Sequence, residues 1–194
     1  MKNGLLVDSA GHKFWYLDGK LHREDGPAIE STDGKKEWWL NGHHHRANGP
    51  AIERSDGTKQ WYLNGQLHRE DEGPAIEHAD GEKFWYSNGK LHREGAPAIK
   101  RANGTEEWWS NGFLHREDGP AFEFANRSKE WYLKGRRLVP AYQTTMISSK
   151  IKDKPSPGDL VKRQGRFFLV LRVRGDTDEG FYLDFLGKNN NKLK

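Results

Sequence analysis

Histidine and arginine stand side by side five times in this chain, at His22-Arg23, His45-Arg46, His68-Arg69, His92-Arg93 and His115-Arg116. An imidazole beside a permanent guanidinium can cradle an anion such as phosphate, pair with carboxylates, or assist proton transfer. A Glu-Asp doublet follows three of the pairs directly, at Glu24-Asp25, Glu70-Asp71 and Glu117-Asp118. That favours ion pairs within or between copies over an open anion ladder. Proton-transfer catalysis fits least, because a general base is needed once, in one shaped pocket. No nucleophile–base pair and no metal motif is present. We therefore expect a non-enzymatic protein with no catalytic residue, no cofactor and no metal.

The second copy departs from the rest. It reads Asn41-Gly42-His43-His44-His45-Arg46-Ala47-Asn48, with the acids gone and two extra histidines. Adjacent histidines on a strand point apart, so a metal site is disfavoured. An interaction hot spot fits better, since Trp38 and Trp39 lie just upstream and such spots are rich in Trp and Arg.

The elements that must position these residues repeat as well. Trp15, Trp38, Trp61, Trp85, Trp108 and Trp131 follow at intervals of 23, 23, 24, 23 and 23 residues. The extra residue is Glu72. Each tryptophan precedes a second aromatic: Tyr16, Trp39, Tyr62, Tyr86, Trp109 or Tyr132. A fixed period of this size marks a repeat array. Within a unit, an Asp-Gly or Asn-Gly turn opens a short alternating run, and Asn-Gly closes it in most copies. Such dipeptides between apolar runs signal tight hairpins. The unit therefore reads as two short antiparallel strands and two turns. Stacked units predict a twisted single-layer sheet, with Trp38 and Leu40 on one face and Glu37 and Trp39 on the other. The first tryptophan row is expected to be the better buried. The second row can cover itself as cross-strand ladders or serve as an interface, with sugar or base stacking as further options. Leu5-Leu6-Val7 is expected to cover the open side of repeat one. An unprotected edge there invites pairing with a second copy, so a homodimer is expected.

The order turn-Gly, Trp-aromatic, Asn-Gly, His resembles the MORN repeat family. In repeat two the residues are Gly34, Trp38, Asn41-Gly42 and His45. In repeat five they are Gly104, Trp108, Asn111-Gly112, His115 and Gly119. The likeness spans residues 11–135, about two-thirds of the chain. MORN repeats tend to read His-Gly where this chain reads His-Arg and then Gly-Pro-Ala. That wording resembles a variant in phage and bacterial proteins. The resemblance implies an elongated β-hairpin array with a binding or scaffolding role, often with self-association.

Composition frames the rest. The 194 residues include eight tryptophans and no cysteine, which excludes disulfides and thiolate metal sites. No apolar run approaches the roughly 20 residues that span a bilayer, and residues 1–14 lack a signal-peptide core. No membrane role and a cytoplasmic location, in a host cell if the chain is phage-encoded, are expected. Up to Gly135 there are 19 Lys/Arg against 22 Asp/Glu; from Arg136 onward, 13 against 6. The array is mildly acidic and the tail basic. Three regions follow: a repeat array over 1–140, whose sixth copy is degenerate as terminal caps are, a Pro- and Lys-rich linker over 141–158, and a small β module over 159–194. The stretch from Pro155 resembles the opening of a Tudor- or KOW-type barrel.

The expected fold is all-β: six hairpin units of about 23 residues plus a small C-terminal β module. The expected function is binding of another protein, a host or defence factor, or scaffolding, through the repeat sheet. Candidate partner-binding residues are Trp38, Trp39, His43, His44, His45, Arg46, Tyr62, Arg69, Tyr86, Arg93, Trp109 and Arg116. One alternative is nucleic-acid binding through Lys162, Arg163, Arg166, Arg172 and Arg174 of the basic module. A second alternative is a structural part of a virion.

Overall fold

Strands within the repeats of this protein are short because the turn dipeptides recur so often. A computed structural model of the chain describes residues 2–139 and the strands Thr145–Ile147, Leu160–Arg163, Arg166–Thr177 and Gly180–Lys188. Among the described residues every regular element is a β-strand, and the pairings are antiparallel. The fold is an all-β hairpin array continued by C-terminal strands. None of the described residues forms a helix long and apolar enough to cross a membrane. Contacts divide the chain into two compact units, Met1–Gly112 and Phe113–Lys194.

A repeat of the first unit holds two hairpins, not the single one read from the sequence. In repeat two, Lys36–Glu37 is followed by a break at Trp38 and then by Trp39–Leu40. The Asn41-Gly42 turn returns the chain as His43–His44, paired with Trp39–Leu40. After Pro50-Ala51, Ile52–Glu53 pairs backward with Lys36–Glu37 and forward with Lys59–Gln60 of the next repeat. Strands of the two kinds alternate in one ladder from Lys13–Leu17 to Glu106–Glu107. Most of these strands are two residues long, too short to show a period of two in the sequence.

The tryptophan is the corner between ladder and hairpin. Its N–H donates to the alanine carbonyl of Gly-Pro-Ala, as Trp38 does to Ala51 at 2.8 Å. Its own carbonyl accepts from the histidine N–H, His45 to Trp38 at 3.0 Å. The same pair of bonds recurs at Trp15, Trp61 and Trp85. With one backbone group facing each side, the residue falls between the two strands at Trp38, Trp61 and Trp85, whereas Trp15 lies inside the longer strand Lys13–Leu17.

Turn chemistry follows the dipeptides. Asn41 and Gly42 have φ of 52° and 83°. Two successive positive φ values define the type I′ turn that suits hairpin twist, and Asn-Gly adopts it most readily. At the other hairpin, Asp33 Oδ1 accepts the N–H of Lys35 at 3.0 Å; Asp56 and Asn103 do the same for Thr58 and Thr105.

The deepest positions are small. Ala28, Ala51, Ala75, Ala98 and Ala121 have no exposed surface, while of the first tryptophan row only Trp85 is buried, at 8% exposure. Of the two aromatic rows only the first has a buried member, as expected of the better-buried row, and its other five rings are half-buried. Trp15, Trp38, Trp61 and Trp85 are covered on one face by arginine side chains, described below, and not by a second apolar layer. The alternation of faces holds, because Trp39 Nε1 donates to Glu37 Oε2 at 3.1 Å. Leading strand Gly4–Val7 pairs with Lys13–Leu17, and Leu5, Leu6 and Val7 stay exposed.

In the second unit Phe122–Glu123, Lys129–Leu133 and Arg136–Val139 pair in sequence. Arg136–Val139 then pairs with Gly180–Lys188, which also takes Arg166–Thr177 and Thr145–Ile147 as partners. Leu160–Arg163 completes the set on Arg166–Thr177. Leu138 is buried against Trp131 and Leu133. The stretch expected to be a linker thus contributes one strand, Thr145–Ile147. The rest of 141–158 and the end 189–194 lie outside the described residues.

Candidate interaction site: arginine clasps and the grooves between them

Each His-Arg pair divides into a link and a clasp. The histidine is the link to the next repeat. Nδ1 of His22, His45, His68 and His92 accepts the N–H of Asn41, Asn64, Asn88 and Asn111 at 3.1, 3.2, 3.4 and 3.3 Å. In the second unit His115 accepts from Lys134 in the same way. A ring nitrogen that accepts is unprotonated, so a neutral ring here carries its proton on Nε2. Backbone bonds run alongside, from Gly42 to Leu21 and from Gly65 to His44, both at 2.9 Å.

The arginine is the clasp. Its guanidinium lies over the tryptophan of its own repeat: Arg23 over Trp15 at 4.1 Å, Arg46 over Trp38 at 3.8 Å, Arg69 over Trp61 at 4.1 Å, Arg93 over Trp85 at 3.9 Å. Nη1 donates to the proline carbonyl of Gly-Pro-Ala, from Arg46 to Pro50 at 3.0 Å for instance. A cation over an indole stabilises by roughly 0.5–2 kcal/mol, more when desolvated. The glycine of Gly-Pro-Ala gives the arginine room. A Cβ on Gly26, Gly49, Gly73 or Gly119 would lie 2.5 to 3.0 Å from the guanidinium carbon.

Two carboxylates complete a full clasp. Arg23 pairs with Asp25 at 2.8 Å and Glu30 at 3.3 Å; Arg69 with Asp71 at 2.6 Å and Glu77 at 2.9 Å; Arg116 with Asp118 at 2.8 Å and Glu123 at 3.3 Å. The guanidiniums hold the carboxyls of Asp25, Asp71 and Asp118 below the usual range, chiefly through their hydrogen bonds. These acids lie in the same repeat as their arginine, so the clasp closes a unit and the histidine joins units.

The histidine cluster of repeat two is spent mostly on internal bonds. His44 Nε2 meets Glu37 Oε2 at 2.7 Å, and its ring packs 3.7 Å from Trp39 and 5.0 Å from Tyr62. Lys35 pairs with the other oxygen of Glu37. Burial raises the Glu37 pKa, but hydrogen bonds from His44 and Lys35 outweigh it and bring the carboxyl to about 2. His45 is the link to Asn64, and Arg46 keeps Glu53 at 3.0 Å. His43 is exposed, its ring beside Gly65. Among the described residues no three His, Asp or Glu side chains converge as metal ligands would.

Tyr62, Tyr86, Trp39 and Trp109 are half-buried. Their polar tips reach back two residues, Tyr62 to Gln60 and Trp109 to Glu107. Tyr86 has Phe84 at that position, and burial pushes its hydroxyl pKa up. Between successive arginines lie three grooves of like size. One of about 430 Å³ spans Arg23 to Arg46, one of about 440 Å³ Arg46 to Arg69, and one of about 450 Å³ Arg69 to Arg93. Trp38, Trp61 and Trp85 line them in turn.

A scan against protein-family models and a search of curated proteins return no match for this chain. Lys162, Arg163, Arg166, Arg172 and Arg174 fall on the C-terminal strands, with side chains outside the described residues. The sequence reading missed the stacking of Arg23, Arg46, Arg69 and Arg93 on the tryptophans eight residues before them and the role of the Gly-Pro-Ala glycine. The signal was the co-occurrence of Trp, Arg and Gly-Pro in almost every copy.

Proposed function

We propose that the protein is a non-enzymatic binding module that engages a partner protein through its repeat sheet. The observation that carries this is the row of three consecutive grooves, each lined by tryptophan and flanked by arginines of adjacent repeats. A small-molecule site is characteristically one well-formed cavity. A repeated groove suits an extended surface that several rungs touch at once. Trp, Tyr and Arg are also the residue types that dominate interface energetics. Given the resemblance of the repeat wording to a variant in phage and bacterial proteins, the proposed setting is the cytoplasm of a bacterial host, with a host or defence protein as partner.

Capture from host lysate by the tagged full chain, with and without nuclease and read by mass spectrometry, tests this. The expected result is a stoichiometric protein that survives nuclease. Captures that vanish with nuclease would transfer the function to nucleic acid and the basic C-terminal strands.

A further inference from the structure

Among the described residues, repeat four is the one whose arginine clasp has no carboxylate. It reads His92-Arg93-Glu94-Gly95-Ala96-Pro97-Ala98, with Gly95 where repeat one has Asp25 and Ala96 where it has Gly26. The glutamate of the ladder strand, Glu30 in repeat one, is replaced by Lys100. Arg93 keeps the stack on Trp85 and the bond from Nη1 to the Pro97 carbonyl at 3.3 Å. No described carboxylate comes within ion-pair distance of it. Burial pulls its pKa down, against the weaker pull of the more distant Glu106 and Glu72. Repeat two is intermediate, since Arg46 has lost the aspartate but retains Glu53.

The missing glutamate has moved one strand over. In the ladder Glu53 sits between Lys36 and Lys59. In repeat four the polarity reverses: Lys100 faces Lys83 on one side and pairs with Glu106 at 3.1 Å on the other. Among the described residues no carboxylate meets the Nε edge of this guanidinium, which lies beside the groove of about 450 Å³ lined by Trp85, Tyr86 and Arg93. Arg69 shows what that edge binds when served. Its Nε and Nη2 donate in parallel to the two oxygens of Asp71, at 2.6 and 3.0 Å. This is the planar two-point geometry that selects carboxylates.

We propose that Arg93, held on Trp85, is a carboxylate-binding site whose occupant is an Asp or Glu side chain of a partner protein. The incoming acid takes the place that Asp71 holds in repeat three, and the groove admits the segment carrying it. The proposal rests on the protein-binding reading above for its partner, but the site can be tested by itself.

The probe is a short acetylated, amidated peptide of alternating aspartate and glycine, with the asparagine peptide as its twin. Binding to the full chain is followed by NMR on the side-chain N–H signals of Arg93 and Trp85. Two variants are compared: Arg93→Gln, and the double reversal Lys100→Glu/Glu106→Lys. The double variant keeps the net charge and places a glutamate between two lysines, as at Glu53, where it serves Arg93 from within. The aspartate peptide is expected to shift both signals saturably and the asparagine twin to shift neither. Both variants should bind about tenfold or more weakly, the loss expected when a charge-assisted hydrogen bond goes. Equal shifts with the asparagine twin, undiminished binding in the double variant, or no binding to the parent chain would overturn the site. So would inorganic phosphate shifting Arg93 where the peptide does not. If the peptide result fails while the Arg93→Gln chain still captures its lysate partner, this site falls and the protein-binding reading stands. If the peptide binds and no protein is captured, the reverse holds.

Discussion

A buried acid inside a thin repeat must be fully served by donors, and Glu37 is the clearest case. It is only 7% exposed, accepts from Trp39 and His44, and pairs with Lys35. Its carboxyl titrates near 2 in the fold against 4.5 unperturbed. A depressed pKa contributes stability above the unfolded value, which is lost as pH falls through the folded one. Glu37 should therefore stabilise the array by about 2–3 kcal/mol at neutral pH, with that term vanishing between roughly pH 4.5 and pH 2. Urea unfolding of the parent and Glu37→Gln across this range checks it. The gap in midpoint should be widest at neutral pH and close on acidification; a gap independent of pH would contradict the assignment. Glutamine is a fair replacement, because Gln60 occupies the same place in repeat three. The sequence flagged His43, His44 and His45 as unusual without revealing that two of the three are bonded internally. That depends on what faces each ring across the sheet, and spacing along one chain does not encode it.

The governing contact between elements is backbone on backbone at the alanine of Gly-Pro-Ala. The Ala75 carbonyl receives Trp61 N–H at 2.8 Å, and the methyl has no exposed surface. Ala75→Val adds volume where none is free, so it should cost about 1–3 kcal/mol. Thermal unfolding followed by tryptophan fluorescence measures the loss; a neutral outcome would mean the corner is looser than described. Turns, period and the Leu5–Val7 strand were legible in the sequence because glycine, asparagine and aspartate at fixed offsets act locally. The second hairpin was not legible. Ile52–Glu53 and its equivalents are two residues long and are strands only because neighbours on both sides pair with them.

At the scale of the molecule, a repeat array places similar chemistry at regular steps, and a departure in one step stands out against the others. Asp25, Asp71 and Asp118 close their clasps; repeat four opens its own. The wording Arg-Glu-Gly-Ala-Pro and the lysine at position 100 were visible in the sequence. Their meaning was not, until the other repeats showed where an aspartate and a glutamate belong. The basic C-terminal strands offer the competing account, in which charge and not the aromatic grooves finds the ligand. The most direct discrimination is photo-crosslinking in host cells from a reactive analogue placed at Tyr86 and, in a separate chain, at Arg163. The account predicts a discrete protein adduct from position 86, weakened by Arg93→Gln. Adducts from position 163 alone, made to nucleic acid, would contradict it.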